Sequence, residues 1–239
     1  AILDQGLQGG HIVPVVKTGD ELHLAALNAP RLIELDGWDA ELYAWLRQTF
    51  PHSILGLRLP FEASEQLLAY VRMGVHVFHF LTDFHGRDPG GKFVLDLIRS
   101  VHSVFVQAGI REEVTLLGSG GMVAAEHIPK AMLCGLDAIA IDTPLVVALQ
   151  GKMIGECADR AASRFTLPKN LTTAWGRQRL VNLAAAWRDQ LLEISGAMAP
   201  SGTERNTIAT GTSPRSRGRI TLHAKATSTS TAVPANGPR

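Results

Sequence analysis

A helix that ends at a glycine and is followed at once by an apolar strand occurs three times in this chain. The glycines are Gly74, Gly109 and Gly135. Glycine readily takes the left-handed conformation that ends a helix, and the apolar run behind each glycine is continuous enough to be buried on both faces. The pattern therefore predicts helices that alternate with the strands of a parallel sheet.

Extending this pattern along the chain predicts six strand–helix units. The strands are predicted at Ile12–Val16, Leu32–Leu35, Ile54–Leu59, Val75–Phe80, Val114–Leu117 and Ala138–Ile141. The helices are predicted at Asp20–Asn28, Trp38–Thr49, Glu62–Arg72, 90–108, from Glu126 or His127 onward, and at Trp175–Ser195. We therefore expect one α/β domain over residues 1–199, a partial or complete (β/α)8 TIM barrel of parallel strands with a C-terminal helix.

Residues 200–239 differ in composition from the rest of the chain. They are rich in Ser, Thr, Gly, Pro and Ala, and six basic residues occur from Arg205 to Arg239 without an acidic one. Without apolar periodicity, such a segment cannot bury enough surface to offset the entropy of ordering. We predict a disordered basic tail, and the absence of interleaved aromatic residues argues against a nucleic-acid partner.

Cysteine usage and hydropathy exclude several classes of protein. Cys134 and Cys157 are far apart and fit no metal-ligand spacing, which favours free thiols in the cytoplasm and no metal site. The longest apolar run, Leu136–Leu149, contains two aspartates and is too short to span a bilayer. No membrane segment is predicted.

The strand that begins at Val114 leads directly into the glycine-rich turn Gly118-Ser119-Gly120-Gly121. Bare backbone N–H groups in such a turn can hold a phosphate, although glycines also serve close packing. Asp142 and Thr143 follow the next strand, and two neighbouring loops of this kind hold the cofactor phosphate in many barrels. Thr143 offers a hydroxyl, whereas the charge of Asp142 opposes a phosphate.

Ionisable residues also follow two earlier strands. Arg58 ends one strand, where a buried cation needs either an anionic ligand or an acid such as Asp83. After the next strand, His85 is a candidate for proton transfer with Asp83 orienting it, unless hydrogen bonds within the loop are their only role. His76 and His79 lie on opposite faces of that apolar strand and are interpreted as core histidines without chemistry.

Taken in order, four stretches resemble the FMN-binding domain of glutamate synthase and glutamate-synthase-like proteins. They are Leu57–Leu59, Val77–Arg87, Val114–Gly121 and Cys134–Thr143. Residues 187–198 resemble the helix that follows the barrel in this family. The resemblance implies a barrel that holds FMN at its C-terminal face. It also implies glutamate biosynthesis, in which reduced flavin passes electrons to an imine made from 2-oxoglutarate and ammonia, giving L-glutamate.

Residue by residue, the resemblance places Arg58 where the family has a lysine near the flavin ring. It places Gly120 and Gly121 on the first phosphate loop, and Asp142 and Thr143 on the second, where a glycine is usual in place of Asp142. With Gly118 and Ser119, these residues are the predicted FMN site, and Asp83 and His85 are the predicted catalytic residues.

The chain also departs from the family pattern. Cys157 stands alone where the cysteines of an iron–sulfur cluster are expected, so this chain cannot build a cluster by itself. Six predicted strands fall short of the eight in a closed barrel, which leaves completion to an upstream segment or a partner chain. Two alternatives stay open: a degenerate, non-catalytic barrel that serves as a structural or interaction module, and a phosphate-binding barrel that acts on a sugar phosphate.

Overall fold

The computed structural model describes residues 12–20 and 30–198. Its main sheet has six parallel strands, each paired with its neighbours in sequence. The strands are β1 (Val15–Val16), β2 (Leu32–Asp36), β3 (Ile54–Pro60), β4 (Val77–Leu81), β5 (Thr115–Ser119) and β6 (Ala138–Ala140). All six lie where the sequence predicts strands, so the parallel α/β fold is confirmed.

Six α-helices lie in the described part of the chain. They are α1 (Ala40–Thr49), α2 (Gln66–Arg72), α3 (Val94–Gln107), α4 (His127–Cys134), α5 (Thr143–Ala148) and α6 (Thr173–Met198). Gly74, Gly109 and Gly135, which follow α2, α3 and α4, have φ angles of 95°, 71° and 126°, as a glycine that ends a helix requires. None of these helices is both long and apolar enough to cross a membrane.

Two predicted segments lie outside the described residues. The helix predicted at Asp20–Asn28 falls on residues 21–29 except for its first residue, and the predicted basic tail falls on residues 199–239. Both stay predictions.

The sequential strand order distinguishes this fold from a doubly wound sheet. In a doubly wound sheet the chain reverses direction at a switch point, and helices cover both faces. Here each connection leads to the next strand in the same direction. Since crossovers are right-handed, the helices then lie on one face, as they do in a (β/α)8 barrel. Within the described residues the sheet is open, with β1 and β6 as its edges.

The core lies between the sheet and its helices. Alternate strand residues point toward the helices and are fully buried, as are the helix residues that meet them. Those on the strands are Ile33, Leu35, Leu57, Phe78, Phe80 and Leu116, and those on the helices are Leu46, Ile98, Val101 and Phe105. Each such side chain contributes about 1.5–3 kcal/mol through burial. The opposite sheet face, which corresponds to a barrel interior, carries Glu34, Arg58 and His79.

A hairpin that the sequence analysis did not predict follows α5. Its antiparallel strands are β7 (Lys152–Ile154) and β8 (Arg164–Thr166). The segment between them crosses the carboxyl end of the main sheet, where the carbonyl of Cys157 accepts a hydrogen bond from the N–H of Phe84 at 3.1 Å. The ring of Phe84 also packs edge to face on Phe165, with centroids 5.2 Å apart. The hairpin therefore covers part of the face where ligands bind in such folds.

At the amino ends of β5 and β6, Arg111 connects several elements. Its guanidinium donates to the carbonyls of Val114 at 3.0 Å and Gly135 at 2.8 Å, and to the carboxylate of Asp137 at 2.8 Å. Its Nε donates to Nδ1 of His102 on α3 at 3.0 Å. The side chain of Arg111 is 14% exposed, so this network ties α3 to the ends of two strands in a largely buried setting.

Acidification is expected to weaken this network. Nδ1 of His102 accepts from Arg111 only while the ring is neutral, and burial, together with the charge of Arg111, lowers the pKa of His102. A histidine whose pKa is lowered on folding contributes stability above its unfolded pKa of about 6.5 and loses that contribution as the pH falls below it. Urea unfolding at about pH 8 and about pH 5 measures the loss. His102→Gln keeps an acceptor that cannot be protonated, so its stability should depend less on pH; an unchanged dependence contradicts this prediction.

Candidate functional site

A pocket of ≈ 350 Å³ opens at the carboxyl ends of β2, β3 and β4. This volume lies within the range of small-molecule sites, and ligands of parallel α/β folds bind at this end of the strands. Its charged lining consists of three arginines and three aspartates, which are Arg58, Arg87, Arg160, Asp36, Asp83 and Asp88. The charged side chains of the pocket are therefore balanced in formal charge.

Arg58 lies at the carboxyl end of β3, as predicted, but its acidic partner is Asp36. The nearest N···O distance between them is 3.4 Å, and the pair is partly exposed. The alternative that paired Arg58 with Asp83 is wrong for this structure. Nε of Arg58 is buried and lacks a hydrogen-bond partner among the described residues, which leaves one donor of this cation unused.

Asp83 holds its own loop together instead of orienting His85. Its carboxylate accepts from the N–H of Arg87 at 2.7 Å, and its N–H donates to the carbonyl of Arg87 at 3.0 Å. His85 lies between them and is exposed. The predicted orientation of His85 by Asp83 is thus corrected, because a closed turn satisfies Asp83 locally. A catalytic role for the two residues stays a prediction.

Only half of the predicted glycine turn is a loop. Gly118 and Ser119 belong to β5, and a Cβ on Gly118 would lie 2.5 Å from the Leu136 side chain, so Gly118 serves packing. Gly120 and Gly121 form the turn, with φ angles of 101° and 69°. Their N–H groups donate to no acceptor within the described part of the chain. These two glycines retain the feature that phosphate binding requires.

Asp142 begins α5 as its N-cap, with its carboxylate accepting from the N–H of Thr143. The hydroxyl of Thr143 donates to the same carboxylate at 3.2 Å, so its proton is already used. The other oxygen of Asp142 accepts from Nη1 of Arg160 at 2.9 Å. Arg160 therefore offsets part of the negative charge by which Asp142 is expected to oppose a phosphate.

Arg160, which the sequence analysis did not select, connects the loops after three strands. Its Nε donates to the carbonyl of Thr82, its Nη1 contacts Asp142, and its guanidinium lies over the Phe84 ring at 4.3 Å from the centroid. Nη2 is buried and has no partner among the described residues, and it lies 2.9 Å from the place a Cβ on Gly120 would occupy. Arg160 thus holds an unused NH2 group beside the free N–H groups of the glycine turn.

His79 is the second residue whose role the sequence analysis missed. Its Nδ1 lies 2.9 and 3.0 Å from the two carboxylate oxygens of Glu34, and both residues are buried, at 8% and 4% exposure. Nε2 of His79 is buried without a partner in the described chain. His76, by contrast, is exposed and contacts the carbonyl of Glu113. The interpretation as core histidines is therefore wrong for His76, which is exposed, and is confirmed for the burial of His79, although only one of its two ring nitrogens has a partner in the described chain.

The fold and this site define a class: a parallel α/β protein with the sequential strand order of a β/α barrel, and with a pocket and a glycine turn at the carboxyl ends of its strands. Residues 87–200 match the family model described as the conserved region in glutamate synthase. This part of the chain is therefore glutamate-synthase-like, which confirms the resemblance predicted from the sequence motifs.

Similar curated proteins include the archaeal glutamate synthase (NADPH) of Methanocaldococcus jannaschii, which is 31% identical over 124 residues. This match covers 49% of this chain and 24% of that protein. The archaeal-type glutamate synthase (NADPH) of Dehalococcoides mccartyi is 30% identical over 124 residues, with 49% and 25% covered. The chain thus spans about a quarter of the length of these relatives.

Solved structures with some similarity include nitroalkane oxidase from Streptomyces ansochromogenes and a mutant of FabK from Thermotoga maritima. The first has a TM-score of 0.43 and 16% identity, with 63% of this chain and 49% of that chain covered. The second has a TM-score of 0.40 and 12% identity, with 64% and 54% covered.

Proposed function

We propose that this chain forms part of an FMN-dependent oxidoreductase of the glutamate-synthase kind. In this proposal the phosphate of FMN binds the N–H groups of Gly120 and Gly121 together with Nη2 of Arg160, and the flavin ring lies in the pocket beside Arg58. The unused, buried Nη2 of Arg160 next to the glycine turn is the observation that carries the proposal. Backbone N–H groups and a guanidinium are the donors that phosphate favours.

Bound FMN would supply hydride transfer to the imine of 2-oxoglutarate and ammonia, giving L-glutamate. The chain's own residues would bind and position the reactants. Arg58 offers its unused Nε to the flavin ring or to a substrate carboxylate, and Asp36 keeps its guanidinium at the pocket. Asp83 and His85 stand at the rim of this arrangement as the proposed catalytic loop, in which Asp83 keeps the loop closed.

One observation favours the alternative of a non-catalytic module. The segment between β7 and β8 places Ala158 and Arg160 in the lining of the pocket. It also hydrogen-bonds to the loop after β4 through Cys157 and Phe84. A segment that occupies part of the ligand-binding face leaves less room there for a second reactant.

Titration of the purified chain with FMN tests the proposal, since binding changes flavin fluorescence. We expect one FMN per chain, competition by inorganic phosphate, and much weaker binding of riboflavin, which has the same ring without the phosphate. Failure of FMN to bind overturns the proposal. If FMN and riboflavin bind equally well, the phosphate is not held by the glycine turn.

Catalysis is tested separately on the FMN complex. The bound flavin is reduced with dithionite without oxygen, and 2-oxoglutarate with ammonium is then added. Reoxidation that needs both reagents, with formation of L-glutamate, supports the enzyme. Binding of FMN without any reoxidation supports the non-catalytic module.

A further inference from the structure

Glu34 and His79 pair across β3, and a glycine of that strand lies beside the contact. Glu34 lies on β2 and His79 on β4, the two strands that flank β3. Gly56 is the register partner of Glu34, and a Cβ there would lie 3.6 Å from Cγ of Glu34 and 3.4 Å from the Val77 side chain. With no side chain at Gly56, the two residues meet across the middle strand.

This pair lies on the sheet face that bears the pocket. His79 is the register partner of Arg58, and Arg58 is the register partner of Asp36. Register partners point to the same face of a sheet, as does Leu81, two residues after His79. Asp36, Arg58 and Leu81 all line the pocket, so His79 neighbours two residues of the pocket lining on this face.

The geometry identifies Nδ1 as the nitrogen of His79 that Glu34 holds. An ionised carboxylate only accepts hydrogen bonds, so with Glu34 ionised the proton between the two groups is assigned to Nδ1. Nε2 is then the nitrogen that gains or loses a proton, and it has no partner in the described residues.

Stability alone does not account for this arrangement. Buried polar atoms are normally hydrogen-bonded, and barrel interiors are usually filled by branched apolar residues. A buried ion pair is often no more stabilising than apolar side chains of similar volume. A buried nitrogen without a partner beside a pocket calls for an explanation, and a catalytic role is one.

We propose that His79 exchanges a proton, through Nε2, with a small molecule bound in the pocket, and that Glu34 is the positioning residue that holds its ring. For the identity of that molecule this rests on the proposed function, in which it is an imine. When the C=N bond is reduced, its carbon gains the hydride that the flavin supplies, and its nitrogen takes the proton of Nε2. The imidazole is left neutral, and solvent returns the proton.

Nuclear magnetic resonance of the chain labelled with ¹⁵N-histidine tests the proposal without any turnover. We expect Nδ1 of His79 to stay protonated and Nε2 to be the ring nitrogen whose protonation changes. Addition of FMN and 2-oxoglutarate should shift the Nε2 resonance. An Nδ1 without a proton, or an Nε2 that never changes protonation in the free chain, overturns the proposal. An Nε2 resonance that does not shift when both compounds are bound also overturns the proposal.

Three variants assign the signal and separate the two proposals. His79→Gln should remove the Nε2 resonance, and Glu34→Gln should shift it. His76→Gln changes an exposed histidine nearby and, as the control, should leave this resonance unchanged. His79→Gln should bind FMN within twofold of the unmodified chain yet reoxidise reduced flavin about 100-fold more slowly, the usual contribution of a proton-transfer group. Equal reoxidation rates in His79→Gln and the unmodified chain overturn the role of His79. If the unmodified chain does not bind FMN, only the proposed function is overturned.

The role of Glu34 is tested by the pH dependence of flavin reoxidation. Glu34→Gln removes the counter-charge of the protonated ring, so the pH profile of flavin reoxidation should move to lower pH. A merely structural role would lower the rate by the same factor at every pH. If His79→Gln does not fold, the resonance that responds to Glu34→Gln identifies His79, and the measurements on the unmodified chain decide the matter.

Discussion

Gly121→Ala is expected to lower the free energy of unfolding by about 3 kcal/mol. Gly121 has a φ of 69°, where an L-residue costs about 1–2 kcal/mol more than glycine. A Cβ there would also lie 2.5 Å from Cα and 2.9 Å from N of Gly86, which is backbone that cannot move aside cheaply. Overpacking of this kind costs about 1–3 kcal/mol more. For a chain of this size the melting temperature should fall by about 10 °C.

Gly109→Ala is the matched control for this prediction. Gly109 has nearly the same φ, 71°, but nothing lies within 4 Å of the place its Cβ would occupy. It should therefore show the backbone cost alone, about 1 kcal/mol. Urea unfolding measures the free energy that each variant loses. Equal losses in the two variants would show that Gly86 and Gly121 do not pack against each other.

Arg160→Met is expected to weaken FMN binding about 100-fold. The substitution keeps an unbranched side chain but removes the unused NH2 group beside the glycine turn and the counter-charge of Asp142. A hydrogen bond to a charged group contributes about 1.5–3 kcal/mol, or about 10- to 100-fold in affinity, and the uncovered carboxylate adds repulsion. Fluorescence titration measures the change.

Two further variants and one ligand make this prediction specific. Asp142→Asn keeps the N-cap of α5 and removes a negative charge, so FMN should bind a few-fold more tightly. Arg99→Met replaces an arginine that is 64% exposed on α3 and should change nothing. Riboflavin affinity should not depend on Arg160. An Arg160→Met chain that binds FMN normally would place the phosphate elsewhere.

Much of the fold is predictable from the sequence because its signals are local. Each strand of the main sheet is a short apolar run, and the glycines behind α2, α3 and α4 mark where a helix must end and a strand begins. The start of α4 follows from Pro129, which suits the first turn of a helix and not its middle. The hairpin was missed because its strands are short and largely exposed, with no apolar pattern to reveal them.

The site was predicted less well because its key contacts join residues far apart in sequence. Arg160 meets Thr82 across 78 positions, and His79 meets Glu34 across 45. Arg160 lies in a segment without periodicity, and Glu34 lies between two apolar residues of β2, Ile33 and Leu35. Position after a strand did locate Arg58, Gly120 and Gly121 at the correct end of the sheet. It could not show that Arg58 pairs with Asp36, since that depends on strand register.

The sequential order of the strands also bears on how the chain folds during its synthesis. Each strand from β2 onward pairs with the strand made just before it. Chains emerge from the ribosome from the amino terminus, and contacts between neighbours in sequence form fastest. This sheet can therefore lengthen one strand at a time on the nascent chain, and each new strand meets an edge that is already in place.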